Sequence, residues 1–449
     1  MSDRGPAGKG WLDKLGLHRP ELVAWALYDV ANSAWMTTIL LIFPLYFVNV
    51  AAGELPADVA RSRFAFVTAL SVILVGLIAP VLGTLADLRG NKKGYLAAFL
   101  GLGATATAAM YWITEGRWVL ALVSFVIGNV GVTSTLAFYN ALLPGIASAD
   151  EVDRVSTAGF ALGYLGGGLL LALNALWIAN PALLGLPDKN AAIRLSFLSV
   201  AVWWILFSIP LFLKVKEPAP RREVGEEERE GLLRVVGRRL GETFRDLRRH
   251  PDAGLLLLAF LVYNDGINTI IRMATTFGDE IGIPQTHMIG ALLMVQFVGI
   301  PFAFAFGLLA GRIGAKRSIL LALAVYGGIA VYGYTLRTST QFFVLAFLVG
   351  TVQGGAQGLS RSLFATLIPT HKAGEMFGFF GVFDRFGGAL GSLLFGLMLA
   401  TTGSSRPAIL SLIVLFLVGG LLLARVDVER GRRVAEEENA RARAARTEA

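Results

Sequence analysis

GTLADLRGNKK, residues 83–93, returns further along the chain as GLLAGRIGAKR, residues 307–317. At a constant offset of 224 residues, Gly83 stands on Gly307, Gly90 on Gly314, Lys92 on Lys316 and Lys93 on Arg317. Similarity at a fixed separation is the mark of a duplicated unit. Shorter echoes agree with it: an offset of 236 sets Asp29 on Asp265, Asn32 on Asn268 and Ser33 on Thr269, and the glycine pair 166 and 167 recurs as 387 and 388. The chain reads as two like halves.

Composition says what the halves are made of. The 449 residues are 55% hydrophobic and only 16% charged, outside the range of soluble globular domains. Apolar runs of about 20 residues, enough to cross a hydrocarbon core roughly 30 Å thick, fall near 22–50, 64–86, 94–114, 118–143, 155–179, 193–213, 254–276, 288–311, 318–336, 341–367, 376–402 and 406–425. None shows the alternation of barrel strands, so the twelve runs predict helices, the all-α solution to satisfying backbone groups in lipid. Met1 to Pro20 is polar and lacks a cleavable signal pattern, which leaves the first span to direct insertion. Lys and Arg gather in the two tails and in 214–249, on one side of a twelve-span chain, which puts both termini in the cytoplasm of a multi-pass protein of the cell (inner or plasma) membrane. The formal charge of +8 then faces anionic lipid, and nucleic acid need not be invoked.

The domain reading is a six-helix bundle at 1–213, a linker at 214–253, a second six-helix bundle at 254–425 and a tail at 426–449. In the linker, Leu232, Val236, Leu240, Phe244 and Leu247 form one apolar stripe between arginines, the pattern of a helix lying on the leaflet, and WLDKLGL (11–17) reads likewise. The charged, Ala-rich tail reads as loose or frayed helix.

Parallel six-helix repeats with a site near the midplane between them are a transporter arrangement, and here a resemblance becomes specific. GTLADLRGNKK resembles the signature loop of the major facilitator superfamily. The resemblance implies that Asp87 caps or neutralises a neighbouring helix end while Arg89, Lys92 and Lys93 anchor the cytoplasmic side, the loop serving as a state-dependent latch. The second copy has Gly311 where the acid would stand, which argues against a symmetric latch. LYDVANSAW, FYNALLPGIA (138–147), VSTAGFALGYLGGG and QGLSRSLFATLIP (357–369) together resemble the vacuole-effluxer branch, whose eukaryotic members export amino acids from the vacuole.

Polar residues inside apolar spans are the candidate site, because an ionised carboxylate near the bilayer centre costs roughly 2.5–3.5 kcal/mol unless it faces a cavity or a partner. Asp29, Asn32 and Ser33 share one helical face; a structural acid near the cytoplasmic end of its span is the competing reading for Asp29. Span seven lines up Asp265, Asn268 and Arg272, able to bracket a zwitterion, with Gly266 allowing local unwinding. Span ten repeats Gln353, Gln357 and Arg361 every fourth residue: pore-lining amides, and an arginine with a structural or gating role. Asp384 and Arg385 follow in span eleven, pointing about 100° apart toward different helices, with one of them expected to form a salt bridge that breaks during transport. Tyr139 and Asn140 sit near the cytoplasmic mouth, as anchors or contacts. The glycines of GYLGGG serve close packing, and with no strand before them they make no nucleotide loop.

The chain has no cysteine, its four histidines are far apart in sequence, and no catalytic constellation is visible, so an enzyme is disfavoured and no cofactor or metal is expected. The favoured function is an alternating-access secondary transporter, a monomer whose partners are a small solute such as a neutral amino acid, protons and the bilayer. Efflux is favoured, and protonation of Asp265 or Asp29 biases the two states. A lipid or drug exporter, or a receptor that moves nothing, are the alternatives.

Overall fold

The computed structural model describes residues 14–217, 249–386, 389–402 and 405–447. Among these, every regular element is a helix. The first half holds α1 (Pro20–Ala51), α2 (Ala57–Arg89), α3 (Lys92–Ala109), α4 (Trp118–Ile146), α5 (Val152–Ala179) and α6 (Lys189–Lys214). The second holds α7 (Pro251–Glu280), α8 (Gln285–Ile313), α9 (Ala315–Tyr334), α10 (Ser339–Thr366), α11 (described over Ala373–Phe386 and Ala389–Thr402) and α12 (Arg406–Ala424). A further helix, α13 (Val428–Thr447), follows. Large apolar side chains point outward on many spans, Phe66, Leu213 and Leu393 among them, as expected where lipid is the solvent.

Local chemistry explains the irregular spans. In α1 the turns at Trp35–Ile39 and Phe47–Ala51 are wide, π-type turns flanking Pro44. Pro44 has no amide to give to the preceding turn, and the Thr37 hydroxyl takes the Ser33 carbonyl at 2.9 Å, so the ladder loosens there. Between α3 and α4 the backbones nearly touch: a β-carbon on Gly131 would stand 2.6 Å from the Gly103 Cα and 3.0 Å from the Phe99 carbonyl oxygen. Small residues permit this approach, and dispersion between helices replaces the hydrophobic drive that lipid removes.

The packing repeats between halves, with a register that differs from the sequence echoes. Gly163 of α5 approaches Ser33 and the Asp29 carbonyl of α1; Gly391 of α11 approaches Thr269 and the Asp265 carbonyl of α7. Gly163 therefore corresponds to Gly391, and the pairing of 166 and 167 with 387 and 388 is not the one the packing repeats. In the signature loops, Lys93 donates to the carbonyls of Phe212 (2.7 Å) and Val215 (2.8 Å) at the end of α6, and Lys316 to those of Ala424 (2.7 Å) and Val426 (2.8 Å) at the end of α12. The offset thus slips from 224 at the glycines to 223 at these lysines, because Asn91 adds one residue ahead of α3. Each lysine answers the orphan carbonyls of a helix C-terminus.

Two expectations are corrected. Gly266 does not unwind α7, which runs unbroken from Pro251 to Glu280; its missing side chain makes room for the Phe416 ring of α12. The tail is no frayed segment: α13 is docked under the second half, with Ala435 buried and Arg430 forked onto Asp252 (2.7 and 2.8 Å). The linker stripe from Leu232 to Leu247 and the start of WLDKLGL lie outside the described residues.

Gly131→Ala is expected to lower stability by roughly 1–3 kcal/mol, since the obstructing atoms are backbone and cannot yield cheaply. Gly101→Ala, which meets open space, should be neutral. Thermal unfolding of the purified protein, followed by tryptophan fluorescence, checks both.

Candidate functional site

The candidates are placed relative to the face where Pro20 and Pro251 begin their helices, the terminus face. There the two halves are tied at three points. The first is the signature loop. Asp87, at the end of α2, accepts the amides of Gly374 (3.0 Å) and Glu375 (2.7 Å), the opening turn of α11, and Lys92 sits 2.8 Å from its Oδ1. A carboxylate on a helix N-terminus completes orphan amides and meets the positive end of the helix dipole, worth up to about 2 kcal/mol when partly buried. Gly83 admits this contact, because a β-carbon there would run into the Gly374 carbonyl. Gly90 closes α2 in the left-handed conformation (φ 58°). Arg89 donates to the Tyr95 hydroxyl at 2.8 Å within its own half.

The second copy of the loop makes no such acid contact. Gly307 lets α8 approach Thr157 of α5, Gly314 turns with a positive φ (86°) into α9, and Arg317 is exposed. Where the acid would be, Gly311 meets nothing within 4 Å. The latch is one-sided.

The second tie is a buried ion pair. Asp29 of α1 is 7% exposed and Arg361 of α10 is 3% exposed, and Arg361 Nη2 donates to Asp29 Oδ2 at 3.1 Å. The same carboxylate oxygen accepts the Tyr139 hydroxyl at 2.9 Å. Arg361 also donates through Nε to Ser156 Oγ (2.8 Å) and through Nη2 to the Ser156 carbonyl (2.7 Å), with Asn140 Oδ1 at 3.4 Å from Nη1. The guanidinium lies 4.7 Å from the Trp25 ring centre and 4.5 Å from that of Phe160, and Trp25 stacks on Tyr139 at 4.4 Å. A cation facing aromatic rings in a water-poor pocket gains from their quadrupoles. Gly159 seals the arrangement, because a β-carbon there would collide with Asp29 Oδ2 and stand 2.9 Å from Arg361 Nη2.

The third tie flanks the pair. Ser156 Oγ donates to the Gly358 carbonyl (2.7 Å), and Ser362 Oγ donates to Asp153 Oδ1 (2.5 Å). Helices α1, α4 and α5 of one half thus converge on α10 of the other.

Other candidates lie elsewhere. Asp265 is fully buried, but its Oδ2 accepts the Gly391 amide of α11, so its described contact lies inside its own half. Next to it Asn264 Nδ2 donates to Asp384 Oδ1 at 2.9 Å. Asp265 and Asp384 therefore share the α7–α11 crossing, apart from Asp29. Asn268 is half-buried on α7, while the side chains of Arg272 and Arg385 are outside the described set. Asn32 is buried one turn beyond Asp29, its Oδ1 without a hydrogen-bond partner. Gln357 and Gln353 continue the Arg361 face of α10 away from the terminus face. Gln353 also borders a cavity of about 50 Å³ otherwise lined by apolar side chains of α7, α8 and α10, such as Ile270, Met288 and Phe342.

Sequence reasoning placed Asp29 and Arg361 in separate groups and did not single out Trp25, Ser156, Gly159 or Phe160. A signal was present in the small residues at 156, 159 and 163, spaced three and four apart on α5, and in Trp25, one turn before Asp29. Nothing in the sequence linked those stripes to α10.

Comparison with known proteins agrees with this geometry. The family model described as "Vacuole effluxer Atg22 like" matches residues 18–436. The MFS-type transporter YxiO of Bacillus subtilis is 34% identical over 421 residues, covering 93% of this chain and 97% of its own. Autophagy-related protein 22 of Yarrowia lipolytica is 26% identical, over 82% of this chain and 76% of its own. Among solved structures, the human organic anion transporter MFSD10 superposes with a TM-score of 0.70 at 17% identity, over 90% of this chain and 99% of its own. The transporter FucP in its outward conformation does so with 0.70 at 14%, over 91% and 100%. Twelve helices in two like halves, a signature-loop acid holding the opposite bundle, and a family match over nearly the whole length lead to one conclusion: this multi-pass membrane protein belongs to the vacuole effluxer Atg22-like family of major facilitator transporters.

Proposed function

We propose that the chain is a proton-coupled secondary transporter in which the Asp29–Arg361 pair is both the gate at the terminus face and the place where a proton acts. The observation that carries this reading is that the pair joins the two halves while both charges are nearly sealed from water. Alternating access requires the halves to part at this face. Parting them with both groups charged would leave each without its partner, and an orphaned buried charge costs about 3–5 kcal/mol. A proton taken by Asp29 removes the carboxylate's half of that penalty and frees Arg361 to turn toward an anionic group. The carboxylate of a small zwitterion would supply one, while its ammonium would find Asp29 once the proton has left. This supports a neutral amino acid as substrate. Asn32, Gln357 and Gln353, above the pair on the same helical faces, are proposed to line the path.

The Asp87 latch is proposed to work in series with the pair, since both must release before the terminus face opens. The basic tails and linker favour both termini on the cytoplasmic side of the plasma membrane, and efflux is the direction to which the family resemblance leans. The small cavity at Gln353 does not favour lipid export, because its described lining comes from one half and opens no route across the seam.

In proteoliposomes, Asp29→Asn is expected to abolish accumulation driven by a pH gradient while substrate exchange without a gradient persists. Asp265→Asn should keep the coupling, since an amide oxygen still accepts the Gly391 amide. Coupling that survives in the first variant and vanishes in the second would reverse the assignment. Arg361→Lys is expected to reduce transport as well, because an ammonium cannot reproduce the fork that holds Ser156 and Asp29 together; initial uptake rates check this.

A further inference from the structure

We infer that Glu438, on the tail helix α13, is a positioning residue of the gate: it holds the α10–α11 turn so that the amides of Gly374 and Glu375 are presented to Asp87. This rests on the latch proposed above and adds a component that the sequence repeat does not contain.

The argument begins with what α13 touches. Its first turn is fixed to the start of α7, where Asp252 accepts the Asp427 amide (2.8 Å) and the Arg430 fork. Gly431 then passes so close to Leu367 and Asp252 that a β-carbon would stand 2.7 Å from the Leu367 side chain. Two turns further, the Glu438 carboxylate gathers three basic side chains from two separate segments within ion-pair distance. These are His250 Nε2 (3.2 Å) from the entry of α7, His371 Nε2 (3.5 Å) and Lys372 Nζ (2.8 Å) from the α10–α11 turn. Asn439 Oδ1 accepts the Thr370 amide at 2.9 Å, so the same turn is also held through its backbone.

That turn, Thr370–Lys372, leads directly into Ala373, Gly374 and Glu375. A single residue, Ala373, therefore separates the anchored Lys372 from the first amide that Asp87 accepts. A helix N-terminus binds a carboxylate well only if its free amides are already aimed, and a short turn left to itself would lose that aim to conformational entropy. Glu438 supplies the constraint. Hydrogen bonds from His250, then His371, and the nearby Lys372 ammonium hold its carboxyl well below the usual glutamate range. A group lowered in this way contributes its stabilisation above the ordinary glutamate value and loses it only as pH falls further, so the contact persists through neutral pH. The other charged groups of the neighbourhood are the Asp252–Arg430 pair, Asp427, and Arg432 near Asp153 of α5.

The test uses the absence of native cysteine. A single Thr157→Cys reports the terminus side of the seam, where Thr157 is buried against Gly307 and Gly358; a single Gln296→Cys reports the far end of the α5–α8 contact, opposite Gly168. Each is reacted with a water-soluble maleimide in otherwise full-length protein. With Glu438→Ala we expect the rate at Thr157→Cys to rise about fivefold and that at Gln296→Cys to fall, with the increase reproduced by Asp87→Asn. Glu438→Gln, which keeps an oxygen acceptor, should fall between. A merely destabilised fold would raise both rates, and that outcome overturns the proposal, as does a Glu438→Ala rate equal to the parent's. If Asp87→Asn opens the seam and Glu438→Ala does not, the latch stands and the positioning role falls. If Glu438→Ala opens it and Asp87→Asn does not, the route through the latch is wrong and the inference is overturned with it.

Discussion

A guanidinium enclosed between two helical bundles must find its counter-charge, and in this protein the counter-charge belongs to the other bundle. Arg361 is pinned by Asp29, Ser156, Asn140 and three aromatic rings, so its burial is tolerable only while the halves are together at this face. The low dielectric that makes an unpaired charge so costly also makes the paired state strong. One contact thereby becomes a condition on the whole molecule, because α1, α4, α5 and α10 cannot separate without answering for both charges.

The rest of the terminus face follows from the same constraint. Helix ends that come together there carry orphan amides and carbonyls, and each is met by a charged side chain from elsewhere: Asp87 on α11, Lys93 on α6, Lys316 on α12. Lys93 and Lys316 act within their own halves and make each bundle rigid. Asp87 acts across the seam and makes the joint between bundles. Glycines at 83 and 159 bring the backbones near enough for short, directed contacts.

The asymmetry between halves is equally physical. Asp29 and Asp265 are equivalent by the packing of Gly163 and Gly391, yet one faces an arginine across the seam and the other accepts a backbone amide within its bundle. Duplication supplied the same acid twice, and the surroundings gave it two tasks.

The sequence by itself determined the solvent, the helices and the duplication. Runs of about 20 apolar residues admit one secondary structure in lipid, and an echo at 224 residues needs no coordinates to be seen. It also singled out Asp29 and Arg361, since charged residues in such runs are costly enough to demand a reason, and Asp87 through the signature loop it stands in. Only the tertiary structure decided which reasons applied. Helical spacing orders residues along one stripe but does not say which stripe of another span it meets, so Asp29 with Arg361, and His250 and His371 with Glu438, emerged only when helices 332 or fewer residues apart in the chain were brought together. For the same reason the tail read as loose or frayed helix: the partners of Arg430 and Glu438 lie on distant elements and were found only in space.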